Sequence, residues 1–291
     1  MNHACLPRTR ALGWSLGLFL LLTPALGQNL QRARSYFTGY IPTSVTVADF
    51  DRDGRMDLAA VRFFDSTVAV LMGNGDGTFK PKVDYPAGAG AIAILAVALN
   101  DAGIPDLVTA NSSSNSVSVL RGNGDGTFQP KVDYDLGVGP VSLAAADFDS
   151  DGRTDLVTAS PTLGVLSVLR NIGGQSLERL RGVTLRNGMV AVATGDFDAD
   201  RNSDVVAVNS SGNAAVVVRG YGDGTFRDPV GYSTGQKPVA VAVADLDGDG
   251  RDDFVTANAD DDNVSIWMST SSGSFEKKPE CRVDRGPSAV A

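Results

Sequence analysis

Residues 44–50 read S-V-T-V-A-D-F, apolar and polar by turns, and the same two-residue period returns in 57–63 (D-L-A-A-V-R-F) and 67–73 (T-V-A-V-L-M-G). Alternation at period two puts one side chain in every pair on the same face, so each run predicts a β-strand; we label them A, B and C. A fourth run, 78–85 (T-F-K-P-K-V-D-Y), is interrupted by Pro81. Proline cannot donate to a sheet ladder, so strand D is expected at the outer edge. Between C and D stands Asn74-Gly75-Asp76-Gly77, which supplies the φ > 0 positions of a tight hairpin turn. No 3.6-residue period appears beyond the first 27 residues.

The pattern repeats. Asp49-Phe-Asp-Arg-Asp-Gly-Arg-Met-Asp57 recurs as Asp147-Phe-Asp-Ser-Asp-Gly-Arg-Thr-Asp155, Asp196-Phe-Asp-Ala-Asp-Arg-Asn-Ser-Asp204 and Asp245-Leu-Asp-Gly-Asp-Gly-Arg-Asp-Asp253. The starts are 98, 49 and 49 residues apart, and the gap is filled by a decayed copy, Ala98-Leu-Asn-Asp-Ala-Gly-Ile-Pro-Asp106. The turn Gly73-Asn-Gly-Asp-Gly-Thr-Phe79 keeps the same 49-residue period at Gly122–Phe128 and Gly220–Phe226, with weaker copies ending at Leu177 and Phe275. Four antiparallel strands in about 45–50 residues make one propeller blade. The expectation is an all-β propeller with five complete blades over 37–85, 86–134, 135–183, 184–232 and 233–281. Residues 29–36 align with a lone strand D, and 286–291, within a partial blade 282–291, with a lone strand A. The partial blade lacks B and C, so the ring is expected to be open or incomplete at its C-terminal end.

The first 27 residues are of another kind. Arg8 and Arg10 precede an apolar run over 11–22, and Thr23-Pro24-Ala25-Leu26-Gly27 offers small residues before a cut at Gly27/Gln28. That is the pattern of a secretory signal peptide, and the apolar run is short of the roughly 20 residues that span a bilayer. A mature chain over 28–291, secreted or periplasmic and without a membrane span, is expected. The chain carries 25 Lys+Arg against 34 Asp+Glu, a formal charge of −9. The leader holds two Arg and no acid, so the remainder stands at −11. An acidic balance argues against nucleic acid, whose binders need a basic footprint. The single His, His3, and one of two cysteines, Cys5, also lie in the leader. Beyond it no His-based triad and no His/Cys zinc site can be built. Cys281 stands where other copies have Tyr85, Tyr134 and Tyr232, and is expected to be a buried thiol.

Carboxylate chemistry remains. D-x-D-x-D-G-x-x-D offers oxygens at positions 1, 3, 5 and 9 and a backbone carbonyl at position 7, with glycine at 6 for the turn. Hard cations take such ligands, and Ca²⁺ takes six to eight of them. An EF-hand is excluded, because its twelfth position would be Ala60 or Thr158 instead of Glu and the flanks are strands. A β-roll is excluded because the loops are not in tandem, and Mg²⁺ prefers fewer carboxylates. The expected ligands are Asp49, Asp51, Asp53, Arg55 (backbone O) and Asp57 in loop 1; Asp147, Asp149, Asp151, Arg153 (backbone O) and Asp155 in loop 3. Loop 4 offers Asp196, Asp198, Asp200, Asn202 (backbone O) and Asp204, and loop 5 offers Asp245, Asp247, Asp249, Arg251 (backbone O) and Asp253. Loop 2, with Ala98, Asn100 and Ala102, is expected to hold no ion. Loop 4, with Arg201 in place of glycine, is expected to be weaker than loops 1, 3 and 5.

These loops and turns resemble the FG-GAP/VCBS repeats of the integrin α N-terminal-like β-propeller, over residues 29–291. The resemblance implies that the calcium loop joins strands A and B, and that partners, proteins or glycans, dock on the opposite face, where B–C and D–A connections lie. Family propellers are typically seven-bladed, and some belong to polysaccharide lyases or larger surface proteins. On the implied docking face, Phe63 and Phe64 either present a ring to a ligand or pack against a neighbouring blade. The Asn/Ser runs there, and Asp260-Asp261-Asp262, read as turns. The expected function is a monomeric, non-catalytic calcium-stabilised interaction module. The alternatives are an exported carbohydrate-active enzyme of the polysaccharide-lyase type, whose base could not be a His, and a fragment of a larger surface protein.

Overall fold

The computed structural model describes residues 34–291. The chain divides into two units, 1–37 and 38–291. The described part of the first, 34–37, forms no strand, and the leader and positions 29–33 of the expected N-terminal strand lie outside the described residues.

Five antiparallel sheets follow in chain order within the second unit. Blade 1 is β1 (Pro42–Ala48), β2 (Asp57–Arg62), β3 (Thr67–Leu71) and β4 (Val83–Pro86). Blade 2 is β5 (Ala91–Val97), β6 (Asp106–Asn111), β7 (Ser116–Leu120) and β8 (Val132–Asp135). In blade 3, β9 (Ser142–Ala146), β10 (Asp155–Ser160) and β11 (Val165–Asn171) are followed by an outer strand in two pieces, β12 (Leu177–Arg179) and β13 (Val183–Thr184), both paired with β11. Blade 4 is β14 (Met189–Gly195), β15 (Asp204–Asn209), β16 (Ala214–Val218) and β17 (Val230–Ser233). Blade 5, β18 (Pro238–Ala244), β19 (Asp253–Asn258) and β20 (Asn263–Ser269), again has a split outer strand, β21 (Phe275–Lys277) and β22 (Cys281–Arg282).

Strand D differs from its expected span. Only a bridge joins Gly73 to Phe79, Gly122 to Phe128 and Gly220 to Phe226, and the ladder resumes at Val83, Val132 and Val230. Pro81, Pro130 and Pro229 lie in the gaps, where a residue without an N–H leaves no ladder bond to make. The expected lone strand A near the C-terminus does not form: 283–291 carries no strand. A strand is held by a hydrogen-bonded neighbour, and no described residues pair with this segment as a ladder. Cys281 sits in β22 and is only half-buried, because the split outer strand is an edge.

The hydrophobic core is a series of seams between consecutive blades. Alternate residues of each second strand serve two seams, as the period of two requires. Leu107 joins the blade 1–2 cluster and Val108 the blade 2–3 cluster; Leu156 joins the 2–3 cluster and Val157 the 3–4 cluster. The fourth seam, between blades 4 and 5, is aromatic, with Phe197, Phe254, Trp267 and Phe275. First strands contact one another in sequence, β1 with β5, β5 with β9, β9 with β14 and β14 with β18, while β18 makes no comparable contact with β1. Among the described residues no sheet closes on itself.

One knob recurs in the seams. Phe50, Phe148 and Phe197 lie edge-to-face on Phe128, Phe226 and Phe275, at 5.4, 5.5 and 5.3 Å between ring centres. Leu99 and Leu177 share the remaining seam. The four knobs are at most 3% exposed, whereas the fifth, Leu246, is 51% exposed. Val255, Val264, Ile266 and Met268 on the same blade are correspondingly only half-buried.

Candidate metal centre

Each A–B connection opens where β1, β5, β9, β14 or β18 ends and closes on the aspartate that begins the second strand. That aspartate, loop position 9, does the same thing five times. Asp57 Oδ2 accepts from Phe50 N at 2.8 Å and Oδ1 from Gly73 N at 2.7 Å. Asp155 accepts from Phe148 N and Asn171 N, Asp204 from Phe197 N and Gly220 N, and Asp253 from Leu246 N and Ser269 N, all within 3.1 Å. Asp106 of the decayed copy keeps the clamp at 3.2 and 2.9 Å. The position-9 side chain therefore ties the loop to the end of strand C whether or not the other acids are present. Its retention in loop 2, where the other acids are lost, is the sequence signal of this structural role.

Position 1 winds the loop. Asp49 Oδ2 accepts from Gly54 N, Asp147 Oδ2 from Gly152 N, Asp196 Oδ2 from Arg201 N and Asp245 Oδ2 from Gly250 N, at 2.8–2.9 Å. This draws position 6 into the left-handed region: Gly54, Gly152 and Gly250 at φ 83–85°, and Arg201 at φ 67°. Position 4 is left-handed too, in Arg52, Ser150 and Ala199 at φ 58° and Gly248 at φ 79°. Ordinary side chains at that position gave no hint of it.

Four carboxylate clusters result. Each offers oxygens within 4.8 Å of one another: Asp49, Asp51 and Asp53; Asp147, Asp149 and Asp155; Asp196, Asp198 and Asp204; Asp245, Asp247 and Asp253. Loop 2 contributes none. The position-5 acids Asp151, Asp200 and Asp249 stand outside their clusters. Asp151 and Asp249 pair with Arg153 and Arg251, and Asp200 with Arg227 at 3.3 Å. Asp53 pairs with Arg55 while remaining within its cluster, and Asp57 is left to the clamp alone.

The donor set fits a hard cation. Asp149 Oδ1, Asp196 Oδ1 and Asp198 Oδ1 are buried and accept no hydrogen bond from any described residue, a costly state for a carboxylate oxygen without a cation. Burial pushes the Asp155 and Asp204 carboxyls up to about 6 against their backbone hydrogen bonds, and the neighbouring Asp149 and Asp198 charges push the same way. Asp57 is raised by burial as well. The exposed Asp245 is held low, chiefly by the Gly250 N–H. A divalent ion would relieve the crowding by favouring the charged forms.

The residues at the far ends of the second strands behave as turn supports. Asn111 bonds Thr109, Ser116 and Ser118; Asn258 bonds Thr256, Asn263 and Ser265. Asp260, Asp261 and Asp262 engage Lys237, Gln236 N and Gly286 N. Phe63 is half-buried and lies edge-to-face on Phe64, which is 70% exposed. One ring of the pair is thus open to solvent.

Comparison with curated protein sequences finds no significant match. Among solved structures, the chain is similar to an Agrocybe aegerita lectin that recognises non-reducing terminal N-acetylglucosamine (21% identity, TM-score 0.56, 81% of this chain). It spans 64% of that lectin's length. It is also similar to the Pseudomonas aeruginosa periplasmic gluconolactonase PpgL (21% identity, TM-score 0.63, 84% of this chain and 71% of that one). A third similarity is to virginiamycin B lyase of Staphylococcus aureus (11% identity, TM-score 0.58, 86% and 74%). At these identities the likeness is one of fold. The family model described as FG-GAP-like repeat matches four overlapping segments, 49–102, 99–158, 147–207 and 196–256, each running from one A–B loop to the next. With more than half its length matched and the loops in register, the chain belongs to the FG-GAP-like repeat family.

Proposed function

We infer that this protein is an exported, calcium-binding propeller that serves as a non-catalytic interaction module for a protein or a glycan. The observation that carries the calcium reading is the set of buried, unpartnered carboxylate oxygens, Asp149 Oδ1, Asp196 Oδ1 and Asp198 Oδ1, inside clusters of aspartates. Ca²⁺ suits them because its ligand shell is all oxygen and tolerates irregular geometry. Loops 1, 3 and 5 hold it best, loop 4 less well and loop 2 not at all. The ligands are those named above, with Arg55, Arg153, Asn202 and Arg251 lending backbone carbonyls. The bound ion would neutralise the loop carboxylates and hold the A–B connections in place, leaving the opposite face to recognise the partner, with Phe64 as its exposed aromatic.

The export reading rests on the leader pattern of residues 1–27, and the absence of His beyond it favours binding over catalysis. Fold likeness reaches a lectin, a lactonase and a lyase alike, so it supports none of these activities in particular. Calorimetric titration of the full chain with Ca²⁺, against Mg²⁺, tests the ion, and saturable binding selective for Ca²⁺ is expected. A glycan array and an extracellular-protein panel, each run with and without chelator, test the module. Calcium-dependent retention without product formation supports it, and turnover of a retained saccharide or lactone overturns it in favour of an exported carbohydrate-active enzyme.

A further inference from the structure

The residue at the end of strand C is not constant: it is Met72, Arg121, Arg170, Arg219 and Met268, at 49-residue intervals, and the three arginines reach the A–B loop of their own blade. In blade 2 the arginine enters the loop. Arg121 Nη1 lies 2.8 Å from Asp106 Oδ2, and both side chains are almost fully buried, at 6% and 0% exposure. Asn100 completes the arrangement. Its Nδ2 donates to Ile104 O at 2.8 Å and reaches Asp106 Oδ2 at 3.4 Å. Ile104 and Asp106 are positions 7 and 9 of the loop. The carbonyl and the carboxylate that the other loops offer to an ion are, in loop 2, met by N–H donors.

Blade 4 repeats half of this. Arg219 Nη1 pairs with Asp198 Oδ2, and its Nη2 donates to Gly273 O at 2.6 Å in the next blade. Arg121 Nη2 donates in the same way to Gln175 O at 2.9 Å, and both bonds span 54 residues, so the two arginines occupy equivalent places in the repeat. Arg227 adds contacts of 3.7 Å to Asp198 and 3.3 Å to Asp200. Unlike loop 2, loop 4 keeps all four aspartates, and Asp196 Oδ1 and Asp198 Oδ1 remain buried and unpartnered among the described residues. In blade 3 the arginine is shared: Arg170 pairs with Glu178 and keeps a longer contact of 3.7 Å to Asp149.

We propose that this position grades the cation affinity of the loops, and the idea rests on the reading of the loops as calcium sites. In loop 2 the Arg121 guanidinium, with Asn100, has taken the ion's place for good. In loop 4 Arg219 is a resident competitor that a cation must displace from Asp198, because two positive charges cannot share one carboxylate at contact distance without repelling. In loop 3 Arg170 is divided between Glu178 and Asp149 and so competes less, and Met72 and Met268 place no charge at this position in loops 1 and 5. Occupancy is therefore set by a residue outside the D-x-D-x-D-G-x-x-D motif.

The test uses the full chain with loops 1, 3 and 5 silenced by D51N, D149N and D247N, leaving loop 4 to report. Calcium affinity is read by titration calorimetry, with circular dichroism as the check on folding. Adding R219M should tighten binding by up to about fivefold, the gain from removing one charged competitor. Unchanged or weaker affinity in a folded R219M chain overturns the proposal. Should the silenced chain not fold, the reciprocal variant M72R in the otherwise unaltered protein replaces it. That variant should lower the number of tight sites by one, and an unchanged number overturns the proposal. Titration of the unaltered protein separates the two levels. If it takes up no Ca²⁺, the reading of the loops as calcium sites fails. If it binds Ca²⁺ normally and neither arginine variant shifts affinity, only the grading fails.

Discussion

Asp106 has lost the acidic neighbours that its counterparts keep, yet it accepts the same two backbone N–H groups and adds a buried guanidinium. Replacing it by Asn turns one acceptor into a donor aimed at an N–H and leaves Arg121 buried without its partner. Breaking such a pair costs about 3–5 kcal/mol. Urea denaturation of D106N should show a loss of that size, while D101N, at an exposed residue of the same loop, should stay within about 0.5 kcal/mol. Equal effects would mean that the clamp carries no weight. Arg201 calls for the opposite change. Its φ of 67° costs an ordinary side chain of order 1 kcal/mol, so R201G should stabilise the protein by roughly 0.5–1 kcal/mol. A thermal melt of R201G below that of the unaltered protein would count against this. Glycine at position 6 was readable because glycine is the residue that such a backbone prefers. The left-handed position 4 was not, because Arg52, Ser150 and Ala199 carry the same strain without advertising it.

The blade is the element that this sequence specifies, and the seam is where its stability resides. Phe197 is fully buried against Phe254 and Phe275, so F197A should cost about 3–5 kcal/mol. Leu246 occupies the same repeat position half in solvent, and L246A should change stability by less than about 0.5 kcal/mol. Chemical denaturation of the two variants gives the comparison, and similar losses would show that position in the repeat, not burial, sets the cost. Strands A, B and C were legible from period-two alternation to within two residues, because their faces alternate between seams. Strand D was legible as an edge but misplaced at its start. Thr78-Phe79 looks like strand sequence, yet Phe79 is held by a single bridge before Pro81 interrupts the ladder. The aspartate spacing revealed the clusters. The arginines that engage them were hidden, since Arg121 and Arg219 lie 15 residues beyond the last aspartate of their loops. Only the fold of strands B and C brings the two together.

For the whole molecule, charge links the loops to folding. Sixteen of the 34 acids are the aspartates at positions 1, 3, 5 and 9 of the four acidic loops, and they are concentrated where mutual repulsion opposes the native state. With Asp155 and Asp204 raised to about 6, the folded metal-free chain binds more protons between about pH 4 and 6 than the unfolded chain does. Its stability must therefore rise as pH falls through 6 and decline as pH returns to 7. Each of these buried groups costs the folded state on the order of 2–3 kcal/mol at pH 7. Below about pH 4 the trend reverses, because Asp125 and Asp223, held low by the Thr127 and Thr225 side chains and backbone N–H groups, stay ionised in the folded chain while their unfolded counterparts take up protons. A divalent ion favours the charged carboxylates, so saturating Ca²⁺ should erase the decline between pH 5 and 7. The same ion should raise the melting temperature at pH 7 by about 10 °C or more, since each site filled to about 100 times its Kd adds roughly 2.7 kcal/mol. Differential scanning calorimetry at pH 5, 6 and 7, with Ca²⁺ and with chelator, tests both effects. The chelated protein should melt highest at pH 5, the loaded protein highest at pH 7, and the two should differ least at pH 5. A calcium shift that is the same at every pH would show that Asp155 and Asp204 do not sense the ion, which would leave the position-9 aspartates as clamps alone.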